Sequence, residues 1–153
     1  MKTTILVTVL LGCASCSNLP QPRVRLLEDD DAAMTCGIVC VAPGRAATAG
    51  HCLGSPRAVE VLPDTSCWSI ETRDAVTGEM VTIEGWAWGV KSSRRAAVVD
   101  PNWSGWLITT GTGRMGESGG GVYGADGALM GIVLETRDAL TYSRRIATIG
   151  ENP

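Results

Sequence analysis

An all-β fold is the expectation from three features of this sequence: short apolar runs, turn-forming residues between them, and a composition of 19 glycines and 5 tryptophans without a phenylalanine. A chain of 153 residues is long enough to bury one sizeable core and points to a single domain. The net charge of -3 offers no basic footprint, so a nucleic-acid partner is not expected.

At the N-terminus, Met1-Lys2-Thr3-Thr4 and the apolar segment 5–11 make a charged end and a hydrophobic stretch too brief to cross a bilayer. Residues 1–12 therefore read as a secretory signal peptide. Leu10-Leu11-Gly12-Cys13 resembles the lipobox of bacterial lipoproteins, which implies lipidation of Cys13; an ordinary cleaved signal is the alternative. Residues 13–34 follow as a tether and lead-in that includes the solvated run Asp29-Asp30-Asp31. Either route leads to an extracytoplasmic location: lipid-anchored in a bacterial cell envelope, periplasmic or at the outer membrane, or else secreted. Disulfides form in such compartments. Of the six cysteines, lipidation of Cys13 leaves Cys16, Cys36, Cys40, Cys52 and Cys67, with Cys16 in the tether as the odd thiol.

From Cys36 the sequence turns apolar. Residues 36–41 and 46–52 read as a hairpin about the turn Ala42-Pro43-Gly44-Arg45, with 58–62 as the next strand. Pro63-Asp64 is a turn before a further strand at 65–70. Strands at 80–86, 95–99, 106–110, 121–123, 128–134 and 140–146 follow, and Ala125-Asp126-Gly127 joins two of them as a hairpin. Cys40 shares a strand face with Cys36, and both Cys40 and Cys67 should look into the first unit, as a second bridge or as two buried thiols.

Two stretches carry chemistry. Gly116-Glu117-Ser118-Gly119-Gly120-Gly121 sets a serine among glycines. A serine hydroxyl is a poor nucleophile that needs a base beside it and an exposed Oγ. Glycines let the chain turn tightly and a substrate backbone approach, and they bring the amides of Gly116 and Ser118 to one point as oxyanion donors. His51, in Thr48-Ala49-Gly50-His51-Cys52, is the only histidine.

These two stretches, in this order, resemble the histidine and serine motifs of trypsin-like serine proteases, and the resemblance covers about residues 36–149. It implies two small antiparallel β-barrels of the six-stranded type in a protease domain at 35–153. The first barrel, 35–77, is reduced as in compact viral capsid proteases, and the second occupies 78–150. It implies a disulfide between Cys36 and Cys52, sixteen positions apart, which would contribute about 3 kcal/mol. It further implies Ser118 as nucleophile, His51 as base, and Gly116 and Ser118 as the oxyanion hole. The activity would be cleavage of peptide bonds in a peptide or protein substrate through an acyl-enzyme, with no metal or organic cofactor.

For the third triad member, Asp64 matches the family pattern through Ser66, Cys67, Trp68 and Ile70, while Asp74, followed by Ala75 and Val76, is the rival. Chain reach favours Asp64. At about 3.3 Å per residue, the residues between Asp74 and Gly78 cannot supply both a strand and a crossing to the second barrel. The implied side-chain pocket has Thr112 at its base, Leu134, Glu135 and Thr136 along the edge strand, and Leu140 on the far side. Leu140 would narrow it toward small or medium apolar residues, whereas Glu135 could recruit a basic one. Glu117 stands where digestive members carry an aspartate that pairs with a freshly cut N-terminus. No Arg-Ile-Val-Gly-Gly activation site precedes Cys36, so Glu117 is expected to pair locally or face solvent. The alternative function is a catalytically inactive, protease-like binding lipoprotein.

Overall fold

The computed structural model describes residues 23–27 and 35–149; the stretch expected to be a signal peptide, Cys13, Cys16 and the run at 29–31 lie outside the described residues. Strands β1 (Val24–Leu27), β2 (Cys36–Ala42), β3 (Arg45–Ala49) and β4 (Val59–Pro63) form an antiparallel sheet in that order. This first unit is an open sheet of four strands, and its first strand lies inside the stretch read from sequence as tether. Strands β5 (Met80–Ala87), β6 (Val90–Trp103), β7 (Trp106–Thr110), β8 (Gly121–Gly124), β9 (Leu129–Arg137) and β10 (Leu140–Arg145) close into a barrel ordered β10-β7-β6-β5-β8-β9.

Alternation decides which side chains fill the barrel, because successive residues of a strand point to opposite faces. Val81 and Ile83 of β5, Ala96 and Val98 of β6, Leu107, Val122, Met130 and Val133 make its interior. A second cluster joins the two units: Val24, Val39 and Ala47 from the sheet pack on Tyr123, Leu129 and Ile132 from the barrel. Burying an aliphatic side chain of this size contributes about 1.5–3 kcal/mol, so this shared core fixes the sheet against the barrel.

The expected strand at 65–70 does not form. Asp64 instead makes a local turn, its Oδ1 accepting from the Ser66 amide at 3.0 Å and its carbonyl from the Cys67 amide at 3.1 Å. An aspartate that hydrogen-bonds the backbone two residues on competes with strand pairing. The turn carries Cys67 to the outer face of the sheet, where it is bridged to Cys40 and packs with Ile38 and Ala46. The second bridge, Cys36–Cys52, joins β2 to the turn after β3.

The Cys40–Cys67 bridge closes a loop of separation 27 over a small sheet. Replacing both cysteines by alanine should lower stability by about 3 kcal/mol in the chain-entropy account, read as a shift of the urea midpoint under oxidising conditions. An unchanged midpoint would mean that packing alone holds the turn.

Candidate active site

His51 leaves β3 on a single 3-10 turn, Gly50–Leu53. The turn ends with the Gly54 amide on the His51 carbonyl, at 3.3 Å, and the Ser55 amide on the Gly50 carbonyl, at 2.9 Å. That pair of bonds is a Schellman motif. It needs its C′ residue in the left-handed region, and Gly54 sits at φ 67 where a side chain would be strained. A nitrogen of the exposed imidazole lies within 4.8 Å of both sulfurs of the Cys36–Cys52 bridge. Those sulfurs are bonded to each other, so they offer no thiolate and the group is not a metal site.

Ser118 follows a turn in which the Glu117 amide donates to the Arg114 carbonyl at 3.1 Å, with buried Gly116 at φ 97. The Met115 carbonyl accepts from the Trp88 amide at 2.9 Å. The carbonyl and amide of one planar peptide point opposite ways, so the Gly116 N–H faces away from Trp88. Neither this N–H nor that of Ser118 donates to a backbone carbonyl among the described residues. The loop itself is pinned on both sides. The Gly37 amide donates to the Ser118 carbonyl and the Gly119 amide to the Val133 carbonyl, each at 2.8 Å. Ser118 Oγ donates to the Leu134 carbonyl at 3.2 Å.

Glu117 does not face solvent; it bonds locally, as one of the two expectations had it, and also pairs across the barrel. It is 3% exposed and takes Arg94 Nε of β6 at 2.8 Å, while its other oxygen accepts the Arg114 amide at 3.1 Å. Arg94 also donates to Thr141 Oγ1 at 2.7 Å and to the Thr110 carbonyl at 3.3 Å. The ion pair thus ties the serine turn to β6, β7 and β10. The alternation of β6 could have revealed Arg94, which shares parity with the inward Ala96 and Val98.

Two clefts meet at this site. One, of about 290 Å³, is lined by Ser118, Gly113, Met115, Leu134, Glu135 and Thr136 among others. The other, of about 460 Å³, is lined by His51, Ser55, Arg57, Ala58, Trp106 and again Leu134 and Glu135. Of the expected pocket residues, Leu134, Glu135 and Thr136 line the serine cleft and Thr112 and Leu140 do not. Thr112 is exposed beyond the end of β7, and Leu140 is held in the barrel ladder opposite Thr110 and Arg137.

The structure does not bring Asp64 to His51. Pro63 pairs with Arg45 at one end of the β3–β4 ladder and Val59 with Ala49 at the other, so the two residues stand at opposite ends of a strand roughly 13 Å long. The Asp64 carboxylate is engaged by Arg25 and Ser66, which hold it down to about 2, Arg25 contributing most. Asp74 is no nearer. It is 62% exposed and takes Arg145 at 2.9 Å, and its neighbour Thr72 bridges Leu129, five residues before Leu134 on β9. Among the described residues no carboxylate forms an ion pair with His51. The residue that leads into β4 beside Gly50 is Ala58, whose carbonyl accepts the Gly50 amide at 2.8 Å.

No protein-family model and no curated protein matches the sequence. Solved structures do match it. Rv3671c from M. tuberculosis H37Rv, in an inactive form, superposes with a TM-score of 0.64 at 15% identity over 82% of this chain and 80% of that one. The serine endoprotease from Yersinia pestis gives 0.68 at 18% identity over 81% of this chain, which spans 58% of that protein. The human pathogenic astrovirus serine protease gives 0.67 at 10% identity, covering 86% and 93% of the two chains. The chain therefore has the trypsin-like serine protease fold.

Two outcomes test this description of the site. The carboxyl of Asp64 is held below its ordinary 3.8 in the folded protein, so its contribution is complete above about pH 4 and is lost as pH falls toward about 2. Asp64→Asn should remove that part of the acid destabilisation, seen as a flatter urea midpoint between those pH values. Arg94→Met leaves Glu117 buried without its cation and should cost about 3–5 kcal/mol, whereas Arg94→Met combined with Glu117→Gln should cost less than the sum. An additive pair would mean that the two side chains act independently.

Proposed function

We propose that this chain is an exported serine endopeptidase in which Ser118 attacks the substrate carbonyl and His51 takes its proton. The observation that carries this reading is the pair of amides, Gly116 and Ser118, without backbone acceptors among the described residues, beside Ser118 Oγ in a cleft that shares Leu134 and Glu135 with that of His51. Such donors stabilise the negative oxygen of the tetrahedral intermediate, each by about 100- to 1000-fold in rate. His51 would then return the proton to the leaving amine, and a water activated the same way would release the acyl group from Ser118.

Peptide or protein substrates follow from this chemistry. Leu134, Thr136 and Met115 in the lining of the serine cleft favour a small or medium apolar side chain there, and Glu117, which also lines it, is already neutralised by Arg94. Two disulfides are consistent with an oxidising, extracytoplasmic location, and no helix among the described residues is long and apolar enough to cross a membrane. Attachment through a lipidated Cys13 is the accompanying proposal, checked by mass spectrometry of the mature N-terminus. A second reading, a protease-like binding protein without turnover, draws on one observation: His51 lacks a carboxylate ion-pair partner among the described residues.

Labelling with a fluorophosphonate separates the two. The enzyme reading expects labelling of the wild type that is abolished in Ser118→Ala and strongly reduced in His51→Ala, and turnover of Asp64→Asn and Asp74→Asn close to wild type. Folded protein that shows no Ser118-dependent labelling would overturn the enzyme reading. A loss of about 10⁴ in kcat for Asp64→Asn would restore that residue to the triad.

A further inference from the structure

The cleft of His51 holds a hydroxyl whose bonding is incomplete. Ser55 Oγ donates its single proton to Glu60 Oε1 at 2.5 Å and accepts the Arg57 amide at 3.2 Å. A serine hydroxyl has one proton and two lone pairs, so one lone pair remains to accept a further donor, and the imidazole N–H is a side-chain donor that shares its cavity, beside Arg57 and Trp106. The Schellman motif folds Ser55 back over the turn that carries His51, four residues earlier, and both side chains line one cavity with Ala58. Behind the hydroxyl, Glu60 lies on β4 directly across from Thr48 of β3, three residues before His51. We propose that Ser55, polarised by Glu60, is the group that orients His51, a hydroxyl and carboxylate together filling the position that a single aspartate fills in trypsin-like proteases.

This deepens the endopeptidase reading and rests on it. With Nδ1–H donated to Ser55, the Nε2 lone pair is the one left to take the proton from Ser118 Oγ. The proton shuttles between Oγ, Nε2 and the leaving amine, while Nδ1–H stays where it is and Ser55 neither gains nor loses one. Glu60, behind the hydroxyl, favours the imidazolium formed on the way. The other charged groups of the cavity are engaged at its rim: Arg57 Nε lies 3.9 Å from Glu60, and Glu135 pairs with Arg137 at 2.8 Å. Ser55 and Glu60 are thus positioning residues, acting through His51 and not on the substrate.

Because His51 is the only histidine, the imidazole signals in a ¹⁵N NMR spectrum belong to it alone. At a pH where the ring is neutral, the wild type should hold its proton on Nδ1. Ser55→Ala and Glu60→Gln should move the population toward the Nε2–H form and lower kcat about 10- to 1000-fold with KM little changed, short of the roughly 10⁴ that follows loss of a direct carboxylate. Ser55→Thr, which keeps the hydroxyl, should recover most of that loss. The proposal is overturned if Ser55→Ala leaves tautomer and kcat as in the wild type, or if Glu135→Gln alone produces the tautomer change. If Ser118 is not labelled yet the tautomer follows Ser55, the endopeptidase reading falls, and with it the catalytic part of this one, while the hold of Ser55 on the His51 ring stands.

Discussion

The site depends first on the burial of one carboxylate. Glu117 sits at 3% exposure immediately before Ser118, and a charge taken out of water must be paired and hydrogen-bonded or its burial costs several kcal/mol. Arg94 and the Arg114 amide meet that demand together, which fixes where the turn from Arg114 to Glu117 can lie. The turn in turn sets the Gly116 peptide, and so the direction of the amide that would meet an oxyanion. In the digestive proteases whose aspartate position Glu117 resembles, the cation arrives with cleavage of the N-terminus. Here it is supplied by a barrel strand, so the serine loop is assembled as soon as β6 pairs with β5 and β7.

The first unit achieves a comparable fixity with far less structure. Four strands cannot close on themselves, and each strand is short. Three devices compensate. The sheet presses Val24, Val39 and Ala47 into a core shared with the barrel, two disulfides tie its ends, and β1 is clasped by charge. Arg23 pairs with Glu84 and lies 4.2 Å over the ring of Tyr123, while Arg25 pairs with Asp64. Asp64, which the sequence offered as a triad member, is therefore part of what keeps β1 on the sheet.

Most of the fold was legible from alternation and turn chemistry. The hairpin about Pro43-Gly44, the strand after Pro56 and the six strands of the barrel are found within a few residues of where the patterns put them, although β6 runs well beyond its apolar segment. Its extension passes through Lys91, Ser92, Ser93 and Arg94, polar residues with no apolar partner pattern, and their pairing with β5 overrides local preference. β1 was missed because Val24–Leu27 is short and is set among charges, and its place comes from long-range pairing with β2. His51 and Ser118 were legible because motif and spacing agree. The place of Asp64 was not, because matching it to a strand of hydrophobic residues assumed that 65–70 pairs, and its own side chain bonds the backbone into a turn instead. Arg94 carries no motif and is marked only by its parity with Ala96 and Val98, whereas Ser55 and Glu60 are revealed by packing alone.

The small size of the first unit and the unusual surroundings of His51 have one origin. Only five residues, 54–58, separate the histidine turn from β4. A connection so short must bring the chain straight back against the turn. The Ala58 carbonyl takes the Gly50 amide, and the Arg57 carbonyl packs so closely that a methyl on Gly50 would meet it at 1.7 Å. Backbone thus fills the space beside the histidine turn where a longer loop would have room to deliver a carboxylate. The nearest acid on that strand is displaced to position 60, too far back to act except through an intermediary. Ser55, returned by the same short loop and already bonded to Glu60, is the intermediary the geometry provides. On the proposal that Ser55 stands between His51 and Glu60, the compactness of the first unit and the partner of the histidine are two results of one constraint on chain length.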